Sequence, residues 1–198
     1  MGYISIPGRS YQPPRENPWP EAIELQESAH PYHDWNGRIN AECYAPNAAA
    51  RILYERKRIV SMVNNYARIS FSFGPILLFC KEPNDPAVYG AILEADGESA
   101  KRFSGHGSAM AQPYNHMVML LANERDKCTQ AFWGIRDFKH WFARRPEGMW
   151  LPETAADLAT IEVLAELGIK FTMLAPGQAR RIIKTSGRNW QGSGQRFR

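Results

Sequence analysis

Apolar and polar positions along the chain follow two periods, and the switches between them set out the expected elements. Residues 4–6 open a first strand, and the proline-rich residues 11–20 that follow suit neither a helix nor a central strand. Residues 48–64 read as a helix, with Ile52, Ile59 and Val63 on or near one face and charges on the other. Residues 67–73 set Ile69, Phe71 and Phe73 against Arg68, Ser70 and Ser72, a period of two that ends at Gly74-Pro75. A short apolar helix starts over residues 76–81, and Asp85-Pro86 opens another running toward Phe103, with Val88, Ile92 and Leu93 inward. The small residues of 104–113 predict a third strand closely approached by its neighbours. Residues 123–144 predict a helix capped by Asn123, with Glu124 and Asp126 in its first turn and Trp133, Phe138, Trp141 and Phe142 supplying apolar surface. A short apolar strand at 148–151, a helix at 154–167 closed by Gly168, and a fifth strand at 169–174 complete the pattern. Alternation at this rhythm predicts an α/β fold with parallel strands, in roughly five βα units, whose chemically loaded loops gather at a barrel-like mouth.

Those loops hold the candidate chemistry. Tyr11, Gln12, Arg15, Asn17 and Trp19 are too dense a set for a linker, so residues 11–20 are read as a site-lining loop. Residues 27–46 mix His30, Tyr32, His33, Asp34, Trp35, Asn36 and Arg38, which suits a binding surface better than a core. His30 and His33 could share a metal only on a helix, and Pro31 argues against one there. A structural or substrate-contact role is preferred for them, and no metal or cofactor is expected. Tyr114-Asn115-His116 forms another polar and aromatic loop, in which His116 is a donor to a ligand, a buried capping group, or neither. Glu153 follows the strand at 148–151, where a barrel collects catalytic groups, and Trp150 offers a flat apolar face with one N–H donor, a surface that suits a sugar ring. The plainer reading makes Glu153 an exposed acid in the first turn of the next helix.

Composition narrows the class. With 198 residues, 44% of them apolar and 12% aromatic, the chain is long enough for one sizeable core and short for two domains. No apolar run approaches a membrane span and the first residues lack the pattern of a signal peptide, so a cytoplasmic, membrane-free protein is expected. Cys43, Cys80 and Cys128 are widely spaced and read as buried free thiols. The net charge of +4 invites nucleic acid as a partner, but seven basic residues lie beyond Glu166, leaving 17 elsewhere against 20 acids. No nucleic-acid role is therefore expected. Residues 1–181 form the expected domain, and 182–198 a basic tail without apolar periodicity. There is no Gly-rich phosphate loop and no G-x-S-x-G.

Four blocks carry a family resemblance: residues 11–19; residues 32–36 with 39–44; residues 114–116; and residues 147–155, Glu-Gly-Met-Trp-Leu-Pro-Glu-Thr-Ala. In that order they resemble the N-terminal catalytic region of glycoside hydrolase family 57, in the branch that carries a DUF3536 domain. The resemblance covers roughly residues 4–181. It implies an incomplete (β/α)7 barrel acting on α-glucans by a retaining mechanism, with Glu153 as nucleophile, His116 as a substrate contact and Gln12 in the first block. His33, Trp35, Tyr114 and Trp150 are the further expected substrate contacts. Two departures accompany it. Pro7 and Arg9 stand where the branch has histidines. The family's acid/base aspartate belongs to a later strand, so the chain is expected to be a truncated domain without activity of its own. A non-catalytic carbohydrate-binding module and, ranked lower, a metal-dependent polysaccharide deacetylase are the alternatives.

Overall fold

A computed structural model describes residues 5–178, 181–182 and 191–192. The chain forms two compact units, Met1–Met110 with Asp137–Arg145, and Ala111–Arg136 with Pro146–Arg198.

In the first unit, β1 (Pro7–Ser10) begins at Pro7 rather than within the expected 4–6, and Ile4 lies outside the described residues. It pairs in parallel with β4 (Ser70–Phe73), Pro7 opposite Ser70 and Ser10 opposite Phe73. Parallel pairing continues on the other side of β4, where Phe71 donates to Ser108 O at 3.0 Å and accepts from Met110 N at 2.7 Å. Between them lie α1 (Trp35–Ile39), which runs through a π-helical turn at Asn40–Tyr44 into α2 (Ala45–Ala48), and the antiparallel pair β2 (Ala50–Leu53) and β3 (Ile59–Val63).

That hairpin corrects the helix expected over residues 48–64. Ile52, Ile59 and Val63 fit a helical stripe, but a stripe needs a surface to bury against, and residues 51–62 are all exposed. Without such burial, β-branched Ile52, Ile59, Val60 and Val63 favour strands. Arg56 and Lys57 take left-handed backbone (φ 59° and 58°), turning the chain so that Tyr54 N reaches Arg58 O at 2.8 Å.

Next come α3 (Pro75–Asn84) and α4 (Pro86–Arg102), joined at Asp85, whose carboxylate caps α4 by accepting from Val88 N at 3.3 Å. Proline opens both helices, where its missing N–H costs nothing. Val88 and Ile92 are buried as expected, and Leu93 is half-buried. The core gathers Tyr44, Tyr66, Phe71 and Phe73, whose rings meet edge-on or tilted with centroids 5.4–5.8 Å apart. Beneath β4, Leu78 and Ile92 are fully buried.

The expected strands at 104–113, 148–151 and 169–174 shrink to short parallel contacts, which in the second unit are Ala111 opposite Met149 and Gly148 opposite Phe171. Pro113 and Pro152 bring no N–H to extend a ladder beyond them. Long helix α5 (Glu124–Phe142) is capped by Asn123, whose side chain accepts from Asp126 N at 2.9 Å. Trp133 is half exposed rather than part of the core, whereas Phe138 is buried. Helix α6 (Leu158–Glu166) starts later than the expected residue 154, because the backbone at Glu153 and Thr154 is left-handed and Asp157 is the cap. Asp157 accepts from Thr160 N at 2.8 Å and from the buried Lys127 ammonium at 2.6 Å, and these bonds hold its carboxyl well below the usual carboxylate range. Gly168 (φ 80°) closes α6 as expected. In the residues expected as a basic tail, β5 (Arg181–Ile182) pairs with β6 (Gln191–Gly192); residues 183–190 and 193–198 lie outside the described residues.

The cysteines also differ from expectation: Cys43 and Cys128 are exposed and Cys80 is half-buried, since two of the three fall on outward faces of helical turns. Among the described residues no helix is long and apolar enough to cross a membrane.

Candidate functional site

The second unit holds four of the expected site residues: Tyr114, His116, Trp150 and Glu153. They are placed by one stretch of parallel pairing, in which Ala111 N donates to Gly148 O at 3.0 Å and Trp150 N to Ala111 O at 2.8 Å. Just past it, the strand with Ala111 turns through Pro113. The turn is fastened to α5 by buried Gln130, whose backbone carbonyl accepts from Tyr114 N (3.2 Å) and whose side-chain oxygen accepts from Asn115 N (2.8 Å). Tyr114 meets Trp133 edge to face, centroids 5.8 Å apart. His116 is half-buried with left-handed backbone, φ 54°.

The neighbouring stretch runs from Trp150 through buried Leu151 and Pro152 into a tight turn. Glu153 sits at its apex, exposed to solvent, at φ 56° and ψ 16°, and Thr154 follows at φ 52°. Thr154 N returns to Leu151 O at 2.9 Å and Ala155 N to Pro152 O at 3.1 Å. Consecutive non-glycine residues in this region are costly and cluster at functional sites. Glu153 lies outside α6, whose cap is Asp157, and belongs instead to a single 3-10 turn, Pro152–Thr154.

Sequence reasoning missed Gln112. Its side chain is 3% exposed, and neither its amide nitrogen nor its oxygen has a hydrogen-bond partner among the described residues. The indole Nε1 of Trp150 is in the same condition. Ala111 faces Met149 across the parallel pair, so Gln112 and Trp150 follow at adjacent positions and project to the same side. Two orphaned polar groups at neighbouring strand ends present donors and an acceptor to whatever occupies that side. The signal available beforehand was one polar residue ending the run Ala109-Met110-Ala111.

In the first unit, Gln12 is held at both ends of its amide. It donates to Tyr44 Oη at 3.3 Å and accepts from Arg15 Nη2 at 3.2 Å, while Arg15 Nε reaches Asn36 Oδ1 at 3.2 Å. The proline-rich loop is thus ordered by its own polar residues, although Trp19 within it is 92% exposed. His33 is exposed and pairs with Asp34 at 3.0 Å. Burial works to raise the Asp34 carboxyl, but the N–H groups of Gly37 and Asn36 and the His33 ring outweigh it and bring it below its ordinary value. Trp35 donates its indole N–H to Ser28 Oγ at 3.0 Å and carries the Arg38 guanidinium 4.9 Å over its ring. Among the described residues no three His, Cys, Asp or Glu side chains are gathered as a metal-ligand set.

A family model described as glycosyl hydrolase family 57 matches residues 20–189, most of the chain. The chain belongs to glycosyl hydrolase family 57. As a family 57 chain it shares its fold with the α-amylase AmyC from Thermotoga maritima, at a TM-score of 0.58 and 13% identity over 94% of this chain and 44% of that one. It is similar also to an exo-type maltose-forming amylase from Pyrococcus sp. ST04, with TM-score 0.51 and 16% identity over 71% of this chain and 21% of that one. This family 57 chain therefore spans less than half the length of either. No curated protein sequence matches it.

Proposed function

We propose that this chain is the nucleophile-bearing part of a domain that acts on α-glucans, by hydrolysis or glycosyl transfer, through a retaining mechanism with Glu153 as nucleophile. The observation that carries the reading is the turn at Glu153. An exposed carboxylate is held at φ 56° directly after the buried Leu151-Pro152 pair, three residues beyond half-buried Trp150, whose indole N–H is orphaned like the Gln112 amide. The carboxylate attacks the anomeric carbon, the leaving oxygen departs, and water later releases the glycosyl-enzyme. Trp150 offers an apolar face to a sugar ring, and Tyr114 and His116 line the neighbouring turn. Gln12, His33 and Trp35 are proposed as further substrate contacts.

The finer reading places the chain in the DUF3536-bearing branch, as part of a (β/α)7 barrel formed by residues 1–181. A retaining enzyme needs a second carboxyl about 5 Å from the first. In the family that aspartate lies on a later strand, so turnover of glucan is proposed to need that strand as well as Glu153. A second reading, a binding module without chemistry, is favoured by one observation: Pro7 and Arg9, both in β1, stand where the branch carries histidines.

A mechanism-based glycosyl fluoride separates the two. Fluoride leaves with little proton assistance, so trapping reports on the nucleophile even where an acid is lacking. The expected result is a covalent glycosyl adduct on the peptide containing Glu153, absent from Glu153→Gln. An adduct that persists in Glu153→Gln overturns the assignment, and binding of maltooligosaccharide without any adduct supports the non-catalytic module.

A further inference from the structure

The first unit holds a cavity of about 180 Å³, partly open to solvent. That is at least about ten times the roughly 10–15 Å³ one water needs, so it admits a small ligand. Its polar wall centres on Lys81 of α3, only 5% exposed. Lysine is rarely so buried unless paired, yet its hydrogen bond goes to a neutral acceptor, the Asn40 side-chain oxygen, and Asn40 in turn donates to the Asp85 carboxylate. The ammonium also lies 4.7 Å from the centroid of the Tyr44 ring. Asn40 and Tyr44 are the two ends of the π-helical turn, a rare form that recurs at functional sites. The turn thus holds the ammonium from both ends while a cation with three N–H donors faces a cavity.

The lining decides the class of ligand. An anion entering would meet Asp34 and Asp85, and a cation would meet Lys81. Hydroxyl groups, which both donate and accept, satisfy all three together with the Asn36 amide. Ile76 and Leu77, one turn before Lys81 on α3, supply an apolar patch for ring C–H groups.

We propose that this cavity binds one neutral sugar residue, with Lys81 Nζ donating to a hydroxyl and Asp34 and Asp85 accepting from others. The choice of a sugar among hydroxyl-bearing ligands rests on the glucan reading above. The site uses none of Tyr114, His116, Trp150 or Glu153, and of the substrate contacts proposed above it shares Gln12.

The test is amine acylation of the whole chain by an acetyl ester, followed residue by residue by mass spectrometry. Burial pushes the Lys81 ammonium down to about 8, against the raising effect of Asp85, which supplies reactive free amine under mild conditions. Maltose at ten times its dissociation constant is expected to slow acylation of Lys81 by about tenfold while leaving exposed Lys101 and Lys139 unchanged. Asn40→Ala, which keeps the probe lysine, is expected to abolish the protection. In parallel, Lys81→Met is expected to remove maltose-induced NMR shifts of the Asn36 side-chain amide, with a dispersed spectrum showing that the chain remains folded. Absence of protection at saturating maltose overturns the proposal, as does protection by inorganic phosphate in place of sugar. Protection of Lys81 in the parent chain without any glycosyl adduct leaves the cavity standing and removes the nucleophile; trapping on Glu153 without protection does the reverse.

Discussion

Arg144 grips Asp96 through two hydrogen bonds of 2.7 Å, from Nε and Nη2, and the pair closes around the backbone of Ala109. Asp96 accepts from Ala109 N at 2.8 Å and Arg144 Nη2 donates to Ala109 O at 3.0 Å. Two side chains, one from α4 and one from the bend just past α5, therefore occupy the place a neighbouring strand would take. Gly107 is what lets them approach, since a Cβ there would lie 2.3 Å from Asp96 Oδ1 and 2.5 Å from Arg144 Nη2.

Removing one partner strands the other, so Asp96→Ala is expected to cost about 3–5 kcal/mol. Urea unfolding of the variant measures it. A loss under about 1 kcal/mol would mean that solvent replaces the carboxylate at little cost.

Gly134 of α5 faces the backbone carbonyl of Gln112, which a Cβ would approach to 2.0 Å. Alanine would ordinarily strengthen a helix by about 1 kcal/mol. Here the clash with backbone is expected to prevail, and Gly134→Ala should destabilise by about 1–3 kcal/mol. A raised midpoint in thermal unfolding would contradict the packing described.

Gln112 should show opposite effects on stability and binding. Methionine matches its length and carries no amide to leave unsatisfied, so Gln112→Met is expected to stabilise the chain by about 1–3 kcal/mol. It should also weaken maltooligosaccharide binding measured by calorimetry. Unchanged affinity would remove Gln112 from the proposed site.

Asp137 sets a pH dependence. Burial raises its carboxyl from 3.8 to about 6, against the lowering effects of the Trp141 indole N–H at 3.0 Å and of His140. The proton is held more tightly in the folded state, so the contribution is fully present below pH 3.8 and is lost as pH rises through 6. Asp137→Asn keeps an acceptor for Trp141 and cannot ionise. It is expected to match the parent near pH 3.5 and to exceed it by about 3 kcal/mol at pH 8. Equal stability at pH 8 would show the carboxylate to be well solvated.

What could be read from the sequence was local chemistry. Asp85-Pro86 and Asn123 announce helices through hydrogen bonds that span three residues, and the alternation at Ile69, Phe71 and Phe73 marks β4, although Ser72 on its other face is buried as well. At residues 48–64 local pattern was ambiguous, since Ile52, Ile59 and Val63 satisfy a helical stripe and a strand propensity alike. The start of α6 turned on Lys127, thirty residues away, whose buried ammonium is paired with Asp157. Glu153 and Trp150 stood out by position, whereas Gln112 and Lys81 did not. Being buried without a partner, or beside only a neutral one, is a property of the packed chain and leaves no trace in spacing.

The ribbon of β2 and β3 has a consequence for handling the protein. Ile52, Leu53, Tyr54, Ile59, Val60 and Met62 are 48–61% exposed on two short strands and the turn between them, an arrangement prone to edge-to-edge association between copies. Arg51, Arg56, Lys57 and Arg58, against the single acid Glu55, keep such copies apart by repulsion. That repulsion reaches about 30 Å at 0.01 M salt and about 3 Å at 1 M. Dilute buffer should therefore keep the chain dispersed, and concentrated salt should bring it out of solution through this one ribbon.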